Sequence, residues 1–374
     1  TFIMPKSITR SASRKKQSAL MRRLLRVRKE LQIQVAKPIK EGKPILSQLD
    51  QPLLYPNTIG YIQGQAGTHK SRLAEAICTQ FVKNSDCNAS HVGFEKEGRR
   101  DTHVLYVDTE RNIKSQFPGA MQRIIRGSCM DITDAPERLD YISLLAIKRN
   151  ERLRALQEYI AWKRQDTKGH VLIVLDVVSD CISDFNDAPE SMGIIDYMNT
   201  MINEEDVTFL CVIHENPNGN AKARGHLGTE LKNKASITLQ ISQYGGEMDG
   251  HIVYKIQNLK NRMDRPLPDV FVEFDESTGL LVLCESSAVS LAKRSGYSKA
   301  PIELVSTRLP DELKKDPAVG VVHKSLAEIF SCDERTIRER LKEMIEDGTS
   351  IDTQGKTHSL ERSGVGKGST YRLI

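Results

Sequence analysis

The sequence predicts an α/β protein in which a largely parallel sheet flanked by helices fills residues 45–285 and a small C-terminal unit follows. Three observations predict it. Between residues 58 and 285, short apolar runs alternate with amphipathic stretches, the order produced by strands and their crossover helices. One of those runs, IGYIQG, leads through a Gly-containing turn directly into a helical pattern. Beyond residue 300 the apolar residues change to helical spacing around a short polar turn.

The length of 374 residues exceeds what one hydrophobic core of roughly 200–250 residues serves, so more than one unit is expected. With 39% hydrophobic and 28% charged residues the composition is that of a globular protein. No run of about 18 apolar residues offers a membrane span, and the basic first residues lack the apolar core of a secretory signal. A cytoplasmic location is expected. Ten of the first 30 residues are Lys or Arg against the single acid Glu30, so the net charge of +5 sits at that end and the remainder carries about −4. Residues 1–44 therefore read as a basic arm, either a solvated tail or a short amphipathic helix that orders on a partner.

Strands are expected at 58–63, 104–108, 171–176, 208–213, 237–241, 252–257 and 270–274, and helices at 71–83, 152–163 and 192–204. The last helix follows the N-terminal signal Asp187-Ala188-Pro189-Glu190. The stretch YGGEMDG at 244–250 reads as a hairpin turn, and the small, polar and basic residues 286–300 as a linker. The seven cysteines are scattered, odd in number and without a CxxC pair, which predicts reduced structural thiols rather than a zinc site.

Residues 64–71, GQAGTHKS, stand between the apolar strand and the helix, where a phosphate-binding loop belongs. The nucleotide would lie against Gly64, Gln65, Ala66, Gly67, Thr68, His69, Lys70, Ser71 and Arg72. Backbone N–H groups of the turn and the helix N-terminus point at the phosphates, Lys70 reaches the β and γ oxygens, and the Ser71 hydroxyl ligates magnesium. His69 stands where the pattern GxxxxGK[ST] has its second glycine. A Cβ so close to the phosphates predicts weakened affinity or turnover, or a decayed loop.

Further along, VLIVLD ends in Asp176 after five apolar residues, as a strand delivering a carboxylate to a magnesium shell does. VLYVDTE ends in Glu110, placed to polarise an attacking water or simply to be solvated. TFLCVI carries His214 at its tip, a position suited to sensing a γ-phosphate. In IQNLKNRMDRP, Lys260 and Arg262 are two residues apart and share one face of an extended segment. Such a pair can reach a neighbouring subunit's nucleotide, or be ordinary surface cations.

The set GQAGTHKS, VDTE, VLIVLD, VIHENPN, ARGHLGTEL and LKNRMDRP resembles the RecA/DnaB superfamily, and more closely its RepA-like hexameric helicase branch, over roughly residues 45–285. Within that branch the strand bearing the acid is followed by an Asp- and Asn-containing stretch, matched by DVVSDCISDFNDAPE, and the sensor His precedes an ArgGly, matched by Arg224 and Gly225. The resemblance implies a RecA-like P-loop NTPase, with ATP and Mg2+ as cofactors and a ring-forming homo-oligomer, a hexamer in that branch. It implies that Lys70 and Ser71 are the Walker A pair, Asp176 the Walker B acid, Glu110 the catalytic base, His214 the sensor, and Lys260 and Arg262 the fingers acting in trans. It also implies a mobile DNA-contacting loop after the His214 strand, carrying Lys222, Arg224, Lys232 and Lys234.

In HKSLAEIFSCDERTIRERLKEMIEDG, the residues Leu326, Ile329, Phe330, Ile337, Leu341 and Ile345 fall at helical spacing around a turn at 331–333, which predicts two crossed helices. The second, 334–346, offers Arg335, Arg338, Arg340 and Lys342, and strand-like ends at SIDTQ and STYRLI bracket a Gly- and Lys-rich tip. Residues 301–374 thus resemble a winged helix-turn-helix domain, with Arg335, Arg338 and Lys342 toward DNA. Glu334, Glu339, Glu343 and Glu346 dilute that charge, and the same fold also serves for protein docking.

Two functions from different classes follow. One is an oligomeric, DNA-dependent ATPase with helicase or translocase activity, of the kind found on plasmids and mobile elements, taking single-stranded DNA through its core and double-stranded DNA through the C-terminal unit. The other is a DNA-binding replication initiator, or transposition or partition regulator, that ATP switches with slow hydrolysis. A degenerate ATPase acting as a scaffold is the third.

Overall fold

The computed structural model describes residues 18–38, 42–84, 86–87, 92–98, 101–217, 221–245, 252–265, 267–285, 289, 300, 302–330, 332–353, 356–364 and 368–374. The chain divides into two units, 1–42 and 43–374. In the first, α1 (Ala19–Val35) is a 17-residue helix whose N-cap Ser18 accepts a hydrogen bond from the Met21 amide at 3.2 Å. It corresponds to the helical alternative for the basic arm; residues 1–17 lie outside the described residues.

In the second unit a nine-stranded sheet is built from β3 (Ile59–Gly64), β5 (Thr102–Asp108), β6 (Leu139–Ser143), β7 (His170–Asp176), β8 (Val207–His214), β9 (Ile237–Gln243), β10 (Val253–Asn261), β11 (Val270–Asp275) and β12 (Leu280–Leu283). Its order is β12-β11-β10-β9-β3-β8-β7-β5-β6. From β9 to β6 all neighbours are parallel, and β10 to β12 continue the sheet by antiparallel pairing. This is the α/β architecture that the alternating apolar runs predict.

Helices cover both faces because each central strand is apolar on both. On one face α2 (Lys70–Val82) and α3 (Gln116–Gly127) place Leu73, Ile77, Phe81, Met121 and Ile124 against Ile62, Val104, Leu172 and Val212. On the other, α4 (Arg149–Lys163), α5 (Ala188–Glu205) and α6 (Gly225–Lys234) place Leu156, Ile160, Ile194, Met198 and Leu227 against Leu105, Ile173, Leu175 and Phe209. A small sheet of β1 (Leu46–Gln48), β2 (Gln51–Leu54) and β4 (Phe94–Lys96), in the order β2-β1-β4, adds Leu46, Leu54 and Phe94 to the first core.

Several elements were not among those expected, or differ from them. The helix α3 contains Pro118 and Gly119, a pair that signals a turn. The proline falls in the first helical turn, where its missing N–H is not needed, and Phe117, Ala120, Met121 and Ile124 make a continuous buried face. The stretch expected as a mobile basic loop contains α6 instead. Its two glycines obscured it, yet Gly228 is required by packing: a Cβ there would meet the Ala223 carbonyl carbon and oxygen at 2.4 Å. Gly228→Ala is therefore expected to cost about 1–3 kcal/mol of stability, read as a lowered thermal midpoint. Of the expected 244–250 turn, residues 246–250 lie outside the described residues, as does most of the 286–300 linker; the flanking strands β9 and β10 pair antiparallel.

The cysteine expectation is corrected for one pair. Cys87, after α2, and Cys129, at the end of α3, form a disulfide with their Cα atoms 5.7 Å apart. Folding brings together two positions 42 residues apart, which spacing alone does not reveal. Cys78, Cys181 and Cys211 are buried thiols.

The C-terminal residues form α7 (Ile302–Lys315), α8 (Val319–Ile329), α9 (Glu334–Glu346) and two antiparallel hairpins, β13 (Ile351–Thr353) with β14 (Lys356–His358) and β15 (Leu360–Ser363) with β16 (Thr370–Leu373). They share a core of Val305, Leu309, Val322, Leu326, Ile337, Leu341, Met344 and Tyr371. The Asp333 carboxylate caps α9 by accepting from the Thr336 amide at 2.7 Å. Arg335, Arg338 and Lys342 are exposed on α9. Arg340 is not: it is fully buried, and its Nε donates to the Ala300 carbonyl at 3.0 Å and its Nη1 to Glu343 at 2.6 Å. The helical period turns it inward.

Candidate nucleotide site

The central strand β3 ends at Gly64, beside His214 at the end of β8, while Asp176 at the end of β7 stands beside Asp108 at the end of β5. The carboxyl ends of four parallel strands thus converge, and the chain turns from β3 into α2 across them, the place where open α/β sheets bind ligands. Gly64 fits only without a side chain, since a Cβ would meet the Ile241 carbonyl oxygen at 2.4 Å and Thr68 Oγ1 at 2.5 Å.

The 64–71 turn is internally held. Thr68 Oγ1 donates to the Gln65 carbonyl at 2.9 Å, and Lys70 Nζ donates to the same oxygen at 2.6 Å. Burial lowers the pKa of Lys70, against the pull of Asp176, Glu110 and Glu215. Ser71 Oγ donates to Asp176 Oδ1 at 3.1 Å, so the two oxygens expected at a metal are adjacent.

His69 occupies a left-handed conformation, φ 62° and ψ 28°, which costs a non-glycine residue about 1–2 kcal/mol. Its ring stacks on Phe274 (centroids 4.5 Å apart, 13° between planes) and meets the edge of Tyr254 at 4.8 Å. Such aromatic pairs contribute about 0.5–1.5 kcal/mol each, enough to offset the backbone. The ring turns toward β10 and β11. Burial, and Arg72 beside it, lower the His69 pKa and favour the neutral ring. His69, Tyr254 and Phe274 border a cavity of about 890 Å³ that also takes in Glu273, Asp275 and Ser277.

Glu110 lies two residues beyond β5, fixed because its amide and that of Arg111 donate to Asp108 Oδ1 at 3.2 and 2.8 Å. Thr109 Oγ1 adds a clamp to the neighbouring strand end: it accepts from the Val177 amide at 2.8 Å and donates to the Val177 carbonyl at 3.0 Å. His214 Nε2 comes within 3.6 Å of Glu110 Oε1, and the His214 imidazole, ahead of Lys70 and Arg111, holds the Glu110 carboxyl below its usual range. Lys70, Ser71, Glu110, Asp176 and His214 are therefore brought to one end of the sheet.

Lys260 and Arg262 are not brought there. In the pairing of β10 with β9, Lys260 faces Thr238 and Asn261 faces Ile237, and Ile237 in turn faces Gly60 on β3. That is four residues, or roughly 13 Å, below Gly64. The expected common face is present. Lys260 Nζ donates to the Lys232 and Asn233 carbonyls, at 2.5 and 3.4 Å, and Arg262 Nη2 to the Asn233 carbonyl at 2.7 Å. Both cations thus sit at the C-terminal end of α6, where the helix dipole favours them.

Lys222, Arg224, Lys232 and Lys234 are all exposed, but they do not share one loop. Lys222 and Arg224 precede α6, with Arg224 stacked 4.6 Å over the Phe185 ring, and Lys232 and Lys234 lie in its last turn. Lys222, Lys232 and Lys260 line a common cavity of about 250 Å³.

Two clusters were not anticipated. Arg111 joins three carboxylates, those of Glu75, Asp108 and Asp176, at 2.9, 2.5 and 2.8 Å, and Arg123 and Arg72 also bond Glu75, at 2.9 and 3.0 Å. Burial pushes the Glu75 carboxyl up to about 8, against the lowering pull of Arg72 and Arg111. Glu215 is buried just beyond β8, where Gln63 and Gln240 donate to its Oε1 at 2.7 and 2.6 Å, and Gln65 reaches Oε2 at 3.5 Å. The available signal was polarity inside apolar strings: Glu75 in RLAEAI and Gln63 in YIQG both occupy buried faces. Among the described residues no group of three or more His, Cys, Asp or Glu is placed to hold a metal by itself, and no helix is long and apolar enough to cross a membrane.

No family model matches this sequence, and no curated protein matches it. Among solved structures it is similar to the flagellar accessory protein FlaH of Methanocaldococcus jannaschii, at 14% identity over 64% of this chain and 94% of that one, with a TM-score of 0.42. It is also similar to a second solved structure, an isolated ATPase domain, at 14% identity over 72% of this chain and all of that one, with a TM-score of 0.45. At likeness this low, the chemistry rests on the residues of this chain.

Proposed function

We propose that this chain is a magnesium-dependent ATPase that works on DNA as a homo-oligomer, with each active site completed by a neighbouring copy. The observation that carries the reading is the convergence of Lys70, Ser71, Asp176, Glu110 and His214 at the carboxyl ends of β3, β5, β7 and β8. The triphosphate lies over residues 64–71 at the N-terminus of α2. Lys70 leaves the Gln65 carbonyl to meet the phosphates, and the nucleoside extends toward the cavity beside His69, Tyr254 and Phe274. Hard oxygen donors suit Mg2+, and Ser71 Oγ with Asp176 Oδ1, 3.1 Å apart, would hold it, Asp176 through a water. The bound ion would neutralise charge on the transferring phosphoryl group. Glu110, kept ionised beside His214, orients and deprotonates the attacking water, and His214 is placed to answer to the γ-phosphate.

Lys260 and Arg262, set roughly 13 Å below their own loop along the strand axis and two strands across the sheet, suit a role toward another copy's nucleotide. Lys222, Arg224, Lys232 and Lys234 supply exposed charge for a sequence-independent backbone contact with single-stranded DNA. For residues 301–374 the proposal is a winged helix-turn-helix, with α9 offering Arg335, Arg338 and Lys342 to duplex DNA. Translocation or unwinding, and a setting on a plasmid or mobile element, are the finer parts of this reading.

The test is ATP turnover with and without single-stranded DNA, alongside nucleotide affinity and oligomeric state. DNA-stimulated turnover that Lys70→Ala lowers at least about a hundredfold is expected. Tight nucleotide binding with negligible turnover, indifferent to DNA, would overturn the motor in favour of an ATP-switched DNA-binding protein. Absence of nucleotide binding would overturn both.

A further inference from the structure

We infer that Arg111 is a positioning residue for the magnesium carboxylate: it locks Asp176 in the orientation that faces Ser71 and ties that orientation to the segment bearing Glu110. The inference rests on the proposed magnesium–nucleotide site and assigns a residue that the proposed reaction does not itself use.

Asp176 divides its two oxygens. Oδ1 accepts only the Ser71 hydroxyl, at 3.1 Å, among the described hydrogen bonds, and so faces the loop. Oδ2 accepts from Tyr106 Oη at 2.8 Å and from Arg111 Nη2 at 2.8 Å. A carboxylate on a single Cβ can swing about its χ angles, and two donors on one oxygen remove that freedom. The oxygen left toward Ser71 is thereby the one presented to a metal shell.

Arg111 itself has little freedom. Its Nε donates to Asp108 Oδ2 at 2.5 Å, its Nη1 to Glu75 Oε1 at 2.9 Å, and its Nη2 is shared between Asp176 and the Tyr106 hydroxyl, the latter at 3.1 Å. Its guanidinium carbon lies 5.3 Å from the Tyr106 ring centre and 5.6 Å from that of Phe117. One planar group therefore spans α2, β5 and β7, which a lysine's point charge cannot do. Because Glu110 is the preceding residue and both amides hang on Asp108, the candidate base and the metal carboxylate are set by the same guanidinium. Arg72, Arg111 and Arg123 face Glu75, Asp108 and Asp176 across this cluster.

Partners that orient a metal ligand typically govern about 10–100-fold in metal affinity. The test titrates Mg2+ against binding of a fluorescent ADP analogue, and Mn2+ against ADP-loaded protein by electron paramagnetic resonance, in the wild-type chain of 374 residues, Arg111→Met and Arg111→Lys. Arg111→Met keeps an apolar stem on Tyr106 and Phe117 and is expected to raise the half-saturating metal concentration about tenfold or more, with metal-free nucleotide affinity within about twofold. Arg111→Lys, which keeps the charge but lacks the planar fork that spans the three carboxylates, is expected to fall between. Tyr106→Phe, which removes one donor to Asp176 Oδ2 and retains the ring, is expected to shift metal affinity in the same direction by a smaller factor, and it tests the orientation if Arg111→Met does not fold. Unchanged metal affinity in the folded variants, or equal losses with and without metal, would overturn the inference. A wild type that binds no nucleotide would instead overturn the proposed function.

Discussion

Glu110→Gln is expected to lower ATP turnover by about 10²–10⁴-fold, the contribution of a positioned general base, while nucleotide affinity stays within a few-fold of wild type. The amide keeps the size of the side chain and its reach to His214 at 3.6 Å, but it has no basic oxygen for the water's proton. The backbone hydrogen bonds from residues 110 and 111 to Asp108 do not involve the replaced group, so the turn holds and the loss is chemical. Single-turnover hydrolysis and equilibrium nucleotide binding, measured on the same preparation, separate the two effects. Parallel losses of both would mean that Glu110 shapes the site rather than acting in it.

Arg262→Ala is expected to reduce turnover about 10³-fold or more, the scale of an arginine finger, although it lies far from its own phosphate loop. Its sharpest form is a mixing experiment. Lys70→Ala subunits retain the fingers and Arg262→Ala subunits retain the loop, so mixed oligomers contain interfaces in which both are intact. Turnover that is negligible for each variant alone and returns on mixing places the active site between copies. No recovery, with oligomers present, would return Lys260 and Arg262 to the role they have in the isolated chain, two cations on the last carbonyls of α6.

Strand cores were legible because β5, β7 and β8 are buried apolar runs whose ends carry Asp108, Asp176 and His214. The loop was legible because Lys70 and Ser71 must follow a turn and open a helix. What stayed hidden depended on contacts between distant segments. Residues 46–48 and 94–96 form a strand pair that neither short segment announces alone. Arg340 shares its helix with Arg335 and Arg338, and only the packing of α9 separates an inward guanidinium from outward ones. The packing of the His69 ring was hidden because its partners, Tyr254 and Phe274, come from strands about 200 residues away. The Arg111 and Glu215 clusters were invisible for the same reason: a charged residue reads as solvated until the oxygens and nitrogens that surround it are known.

Gln65 ties the phosphate loop to the chain beyond β8. Its backbone carbonyl holds the Lys70 ammonium at 2.6 Å, while its side-chain amide nitrogen holds the Asn216 carbonyl at 2.8 Å, and next to it Gln63 grips the Ala221 carbonyl at 2.9 Å. Two glutamines thus fasten Asn216 and Ala221 to the end of β3 and the start of the phosphate loop, as two rivets fasten a plate to its frame. Whatever takes the ammonium away from the Gln65 carbonyl therefore acts on the same residue that holds Asn216, while the grip of Gln63 on Ala221 stands apart from it.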